Sequence, residues 1–260
     1  GDNVTFSAPP GYNAYTFYVN GAQKLGPSTN NLFNTTTLNS GDKVTVNVAN
    51  ASNCGTTVGP ITITVNQPPT PTLSADKTTI CQGDMVTFTA GGGGAGSVYT
   101  FELNGSPVQS GASNIYTNNS LNNNDKVTVI LTDANKCAAT YATPIVITVN
   151  GLPSGTLTSN PNPAKVCAGG NITFTATSGF TSYEFFVSGV SQGVIGTNTF
   201  SSTTLVNGSI VTVKATNSNS CSNTFNAVPV TIYAFPTGTL AVTENSGKPN
   251  DNIICAGAQV

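Results

Sequence analysis

Apolar residues along this chain alternate with polar ones. In "MVTFTA" (85–90) Val86, Phe88 and Ala90 fall on one side, and Met85, Thr87 and Thr89 on the other. A period of two is the signature of a half-buried strand. "YTFYVNG" (15–21) points Tyr15, Phe17 and Val19 inward and turns at Asn20-Gly21; "YTFELNG" (99–105) does the same with Tyr99, Phe101 and Leu103 and turns at Asn104-Gly105. "KVTVIL" (126–131) is expected to bury Val127, Val129 and Leu131, and "PIVITVN" (144–150) to bury Ile145, Ile147 and Val149. No stretch keeps a helical period for more than a turn.

The strand patterns recur. "CQGDMVTFTA" (81–90) returns as "CAGGNITFTA" (167–176); the sequence begins "GDNVTFSA" and ends "CAGAQV". Aligned on their glycines, Gly1, Gly83, Gly169 and Gly257 are 82, 86 and 88 residues apart. Counting back from Cys54, Cys137 and Cys221 gives a second ruler. At equal distances stand Val46, Val129 and Val213, then Val44, Val127 and Val211, Leu38, Leu121 and Leu205, and Phe33, Tyr116 and Phe200. Each repeat reads as about seven short strands separated by Gly, Asn, Ser and Pro turns, the pattern of an immunoglobulin-like sandwich. In the second repeat strand A holds Leu73, B Phe88 and C Phe101, with E near Tyr116, F near Val129 and G near Ile147.

The expected fold is therefore all-β: tandem immunoglobulin-like β-sandwich domains arranged end to end. Residues 1–68 form a partial domain lacking its first strand, 69–150 and 151–235 are complete, and 236–260 hold the first strands of a further domain. The junctions "QPPTPT" (67–72), "GLPSGT" (151–156) and "FPTGT" (235–239) are short and Pro-bearing, hence stiff. Both ends fall inside the repeat, so the sequence reads as a segment of a longer tandem array. The other reading is that the C-terminal strand completes the first domain of a neighbouring protomer by strand addition.

Composition narrows the function. Charged residues are 7% of the chain and the net charge is −2, with eight Lys and no Arg. Nucleic-acid binders neutralise phosphates with clustered Lys and Arg, so that class is excluded. No apolar run approaches the roughly 18 residues of a membrane span. Nucleophilic catalysis needs a base beside Ser, Cys or Thr, and the usual one, His, is absent. No two acids recur at a spacing suited to glycoside hydrolysis. No enzyme activity and no cofactor are expected.

The succession "GDMVTFTA", "YTFELNG", "LNNNDKVTV", "TDANKC" and "PIVITVN" resembles the immunoglobulin-like repeats of very large surface proteins of Bacteroidota, among them gliding-motility-associated adhesins exported by type IX secretion. The resemblance covers the whole chain. The third repeat departs from it with "GGNITFTA" and "VNGSIVTV", which leaves Asp84 and Asp125 without acidic counterparts there. It implies a bacterial cell-surface or secreted location, a spacer or adhesive role, and no catalytic residues.

A few features carry possible chemistry. "GGGGAG" (91–96) formally contains a GxGxxG pattern, but a strand follows where a dinucleotide site needs a helix, so it reads as a flexible B–C loop. Asp84 in the A–B turn and Asp125 in the E–F turn, with Asp2 and Asp42 repeating the arrangement, are Ca²⁺ candidates. Such a site wants six or more oxygens, and the competing reading is turn chemistry. Tyr18 and Phe186 occupy equivalent outward positions of strand C, with Glu102 between them in the series, and are candidates for gripping surface glycans. Sequons begin at Asn3, Asn34, Asn50, Asn104, Asn118, Asn171 and Asn207, and matter only where glycosylation machinery exists.

The six cysteines, Cys54, Cys81, Cys137, Cys167, Cys221 and Cys255, fall one near each A–B turn and one after each strand F. In an exported chain that is a disulfide framework. Pairing within domains would join Cys81 to Cys137 and Cys167 to Cys221. The two positions lie at opposite poles of a sandwich, about 20 Å apart for strands of about seven residues. A disulfide spans Cα atoms about 4.4–6.8 Å apart. With domains stacked head to tail the favoured bond is Cys81–Cys221, which leaves Cys54, Cys137, Cys167 and Cys255 to pair outside the segment. The leading expectation is a structural repeat segment of an adhesin or extracellular filament whose partners are neighbouring repeats. The alternatives are a carbohydrate-binding accessory region of a polysaccharide-degrading enzyme and a filament subunit completed by strand exchange.

Overall fold

The computed structural model describes residues 2–241, and among these every regular element is a strand. The chain folds as two compact units: Gly1–Thr78 with Met85–Thr148, and Thr79–Asp84 with Val149–Val260. The first unit contains repeat one and most of repeat two. The second contains repeat three together with a short stretch of repeat two.

Repeat two shows why the alternating pattern folds as it does. Strands A (Thr72–Ala75), B (Val86–Gly91) and E (Ile115–Asn118) form one sheet in the order A-B-E. Strands C′ (Ser106–Gly111), C (Val98–Leu103), F (Lys126–Thr132) and the start of G (Ala138–Thr140) form the other. The inward residues of both meet in the middle. Phe88, Phe101, Val127, Val129 and Leu131 are completely buried. Tyr116 stacks on Phe88 across the B–E pair at 5.8 Å and reaches Phe101 on the opposite sheet at 5.6 Å. Each such side chain contributes about 1.5–3 kcal/mol by leaving water.

Repeat one has the same four-stranded sheet: C′ (Ala22–Ser28), C (Ala14–Val19), F (Lys43–Ala49) and G (Gly55–Thr62). Among the described residues its second sheet consists of B (Val4–Ser7) with E (Leu32–Thr35). Phe6, Phe17 and Phe33 form its aromatic centre, with rings 5.5–6.0 Å apart.

Repeat three repeats the full set: A (Leu157–Asn160), B (Ile172–Ala176) and E (Thr199–Ser202) against C′ (Val190–Ile195), C (Ser182–Val187), F (Ile210–Thr216) and the start of G (Ser222–Thr224). Leu157, Ile172, Phe174, Tyr183, Phe185, Val211 and Val213 form one buried cluster drawn from both sheets. The chain between A and B leaves the first sheet as a short strand, Lys165–Cys167, which pairs in parallel with Thr231–Tyr233 at the end of G. In repeat two the matching strand is Thr79–Cys81, paired with Thr148–Asn150. We call this strand A′. The segment before strand A of repeat three is anchored to its own loops. Pro153 is buried, its carbonyl accepts from Asn223 Nδ2 at 2.9 Å, and the Gly151 carbonyl accepts from Asn217 Nδ2 at 2.9 Å.

Several expectations change in detail. A strand C′ follows each C strand, paired to it beyond the turn. Strand G of repeats two and three is broken, because the chain must serve strand F first and A′ afterwards. Of Ile145, Ile147 and Val149 only Ile147 is fully buried, and the other two are half-exposed. The "GGGGAG" segment is a packed turn rather than a free loop. The amide of Gly94 donates to Ser97 Oγ at 3.1 Å, and Ser97 is buried. A Cβ on Gly92 would collide with the Thr70 carbonyl, and one on Gly93 with the Tyr99 hydroxyl.

Candidate functional site

The cysteines sit in a local frame built three times over. Ahead of each F–G cysteine an Asn or Asp side chain folds back on the loop. The Oδ1 atoms of Asn50, Asp133 and Asn217 accept the amides of Cys54, Cys137 and Cys221 at 3.0, 2.8 and 3.0 Å. The residue before each cysteine, Asn53, Lys136 or Ser220, is left-handed, with φ of 58°, 69° and 62°. This costs a non-glycine residue energy and is tolerated where local hydrogen bonds dictate it. The A′ cysteines have a frame of their own. Cys81 begins a turn in which its amide donates to Asp84 Oδ2 at 3.1 Å and its carbonyl accepts the Asp84 amide at 3.0 Å, with Gly83 at φ +90°.

One A′ cysteine and one F–G cysteine are joined. Cys81 and Cys221 form a disulfide with Cα atoms 5.5 Å apart and 140 residues between them in sequence. The bond holds Thr79–Asp84 within the second unit. The alternative pairing within domains, Cys81 with Cys137 and Cys167 with Cys221, does not occur. Cys54, Cys137 and Cys167 are free thiols, and Cys255 lies outside the described residues. Cys137 is half-buried. Desolvation, followed by the Asp133 and Asp2 carboxylates, raises its thiol above the ordinary range.

The acidic candidates are occupied by turn chemistry. Asp125 Oδ1 accepts from Asn104 Nδ2 and Oδ2 from the Asn122 amide, both at 2.8 Å. Asn104 in turn accepts the Lys126 amide at 2.9 Å. Repeat one has the same clasp, Asn20 Nδ2 to Asp42 Oδ1 at 2.7 Å and the Asn39 amide to Oδ2 at 2.8 Å. It holds the Asp42 carboxyl below its usual range, first through the Asn39 amide and then through Asn20. A calcium ion would have to displace these donors. Among the described residues no three His, Cys, Asp or Glu side chains are grouped to hold a metal. In repeat three Ser188 and Ser209 replace the pair, each accepting one amide at 3.3 Å.

Tyr18 and Phe186 face away from the core but are half-buried. Tyr18 lies opposite Thr45 and Gln23, and Phe186 opposite Thr212 and Ser191, so strands F and C′ flank each ring. Two surface hollows belong to repeat one. The first, of about 330 Å³, lies beside the Asn20–Asp42 clasp; the second, of about 230 Å³, lies between strands B and G, over Phe17 and Val46. Sequence reasoning missed the clasp, although "NG" followed by "GDK" or "NDK", with Asn and Asp 22 and 21 residues apart, encodes it.

No protein-family model matches the chain, and no curated protein matches it. Among solved structures it is similar to the fibronectin(III)-like modules of CbhA from Clostridium thermocellum, with TM-score 0.37 and 11% identity over 66% of this chain and all of that one (100%). A 1.5-MDa bacterial ice-binding adhesin aligns with TM-score 0.34 and 14% identity over 90% and 92% of the two chains. A Ca²⁺-stabilised adhesin of an Antarctic bacterium aligns with TM-score 0.41 and 16% identity over 90% of this chain and 69% of that one. At such TM-scores these likenesses carry no weight for function.

Proposed function

We propose that the chain is a non-enzymatic structural segment of a bacterial cell-surface adhesin or extracellular filament, in which stacked immunoglobulin-like repeats set distance. The observation that carries this reading is the Cys81–Cys221 bond, which ties strand A′ of one repeat to the F–G loop of the next. Such a bond limits how far the two elements it joins can part, which suits a structural role. A persistent disulfide also belongs to an oxidising compartment, hence to an exported protein. The repeat motifs support a Bacteroidota surface protein exported by type IX secretion. The turn-bound acids and half-buried aromatics support neither a calcium centre nor a glycan platform.

Small-angle scattering tests the distance-setting role. A compact domain of this length has a radius of gyration of about 18 Å. The segment should give a value well above that, with an elongated distance distribution. A compact particle would overturn the reading, and so would turnover of a glycan, ester or peptide that a single substitution abolishes.

A further inference from the structure

The dipeptide Asn-Gly occurs four times in the chain, at Asn20-Gly21, Asn104-Gly105, Asn150-Gly151 and Asn207-Gly208. It is chemically vulnerable, because glycine has no Cβ to keep its backbone nitrogen from approaching the preceding side-chain amide. The four copies are held very differently. Asn20 and Asn104 stand in left-handed turns, each at φ 52°, with both ends of the side chain engaged. Asn20 Oδ1 accepts the Lys43 amide at 2.9 Å while Nδ2 donates to Asp42 at 2.7 Å. Asn104 Oδ1 accepts the Lys126 amide at 2.9 Å while Nδ2 donates to Asp125 at 2.8 Å. Asn207 is held at one end, where Oδ1 accepts the Ile232 amide at 3.1 Å.

Asn150 differs from all three. Its side chain makes no hydrogen bond among the described residues, and Gly151 beside it is exposed. The Gly151 amide, the nitrogen that would attack, likewise donates to no group among the described residues. A Cβ on Gly151 would meet nothing within 4 Å, so the backbone has room to move here. What holds this segment is its carbonyls. That of Asn150 accepts the Gln82 amide at 2.9 Å, at the end of strand A′, and that of Gly151 accepts Asn217 Nδ2 at 2.9 Å.

We propose that Asn150 is a site of spontaneous modification, converted to isoaspartate and aspartate by attack of the Gly151 nitrogen, and that the Asn–Asp clasps protect Asn20 and Asn104 from the same reaction. In the first step the Gly151 nitrogen attacks Cγ of Asn150. The new N–C bond closes a five-membered succinimide, the Cγ–Nδ2 bond breaks, and the proton of the Gly151 amide leaves with ammonia. Water then opens the ring. Cleavage at Cγ gives aspartate; cleavage at the original backbone carbonyl gives isoaspartate. One water is consumed, one ammonia is released, and nothing is oxidised or reduced. In the clasped turns ring closure must first break two hydrogen bonds, one of them to a charged carboxylate. Isoaspartate at position 150 reroutes the main chain through Cβ and Cγ. The carbonyl that accepted Gln82 becomes a free carboxylate off the chain path, so the pairing at the end of strand A′ no longer matches.

The test incubates the purified full chain, disulfide intact, in mildly alkaline buffer. Peptide mass spectrometry follows each asparagine, and isoaspartyl methyltransferase labelling counts isoaspartate. Asn150 should convert first and Asn207 next. Asn20 and Asn104 should be slower than Asn150 by at least about tenfold, a ratio of about 1.4 kcal/mol, which one hydrogen bond to a charged group supplies. In denaturing urea the four rates should converge. Gly151→Val, which the open space admits, should suppress conversion at Asn150 alone, since a branched side chain crowds the attacking nitrogen. Asp42→Ala should accelerate Asn20 and leave Asn104 unchanged, which separates loss of the clasp from general unfolding. The Thr79–Asp84 amides should lose protection from hydrogen exchange in step with isoaspartate at 150. The proposal is overturned if Asn150 stays intact in the folded chain, if the four sites convert there at equal rates, or if Asn20 is indifferent to Asp42→Ala. The spacer reading above stands whichever way the result falls.

Discussion

Repeats one and three place the same rings at their centres and close over them differently. Phe6, Phe17 and Phe33 of repeat one correspond to Phe174, Phe185 and Phe200 of repeat three. Yet Phe6 keeps 9% of its surface and Val46 8%, whereas Phe174 and Val213 keep none. Strand A is present in repeat three and has no counterpart in repeat one among the described residues. In repeat three strand G breaks, and Phe225 and Val230 turn into the core, with Asn226 Oδ1 accepting the Leu157 amide at 2.7 Å. In repeat one G runs unbroken as Gly55–Thr62, and all eight of its residues are exposed. In repeat three strand A is thus tied to the broken strand G as well as covering the core.

The sharpest way to break this contrast is to weaken strand A where it exists. Leu157→Ala should destabilise repeat three by about 2–5 kcal/mol, the cost of a buried leucine truncation. The same change at Leu240 should be neutral within about 0.5 kcal/mol, as for an exposed site. Hydrogen exchange of the Ile172–Ala176 amides reads the first, and chemical denaturation reads both.

Next comes the covalent lock. Cys81→Ser should cost about 2–4 kcal/mol, a typical value for a native disulfide, and should expose the Thr79–Asp84 amides. Cys54→Ser, at a free thiol, should cost nothing measurable in the same chain.

A smaller effect separates the clasps. Asp125→Ala strands the Asn104 and Asn122 donors in a half-buried turn and should cost about 1–3 kcal/mol. The exposed clasp of repeat one should instead show itself in pH dependence. Because the folded Asp42 carboxyl titrates below its unfolded value, its contribution is complete above the ordinary carboxylate range. It is lost as pH falls through the lower folded value. Asp42→Asn should flatten the acid limb of repeat one's stability curve and leave that of repeat three unchanged. The smallest effect is expected at Ile61→Thr in the exposed G strand, within about 0.5 kcal/mol by denaturant unfolding.

Strands whose inward residues alternate were legible in the sequence because burial on one face leaves a period of two. Tyr15, Phe17 and Val19 show it, as do Val127, Val129 and Leu131. The Asn-Gly turns were legible because both residues must be left-handed, and Asn20 and Asn104 are, at φ 52°. Strand C′ was not. Ala22–Ser28 and Val190–Ile195 are edge strands that bury almost nothing, so no periodicity marks them. Strand A′ was hidden for another reason: three residues leave the first sheet to pair with the end of G, and the cue lies in that distant partner. The cysteine geometry could be reasoned because a disulfide has a short, fixed reach. The Asn–Asp clasp could not, since it depends on two turns meeting side by side.

The bond between Cys81 and Cys221 also decides how the segment bears load. Pulled from its ends, an unbridged chain of 140 residues could release about 460–500 Å of contour once its sheets gave way. With the bond intact, tension entering at Cys81 leaves at Cys221 through two sulfur atoms, and the strands between them stay off the force path. Extensibility then becomes a redox property. The oxidised segment is nearly inextensible over this stretch, and the reduced one is a spring that yields domain by domain.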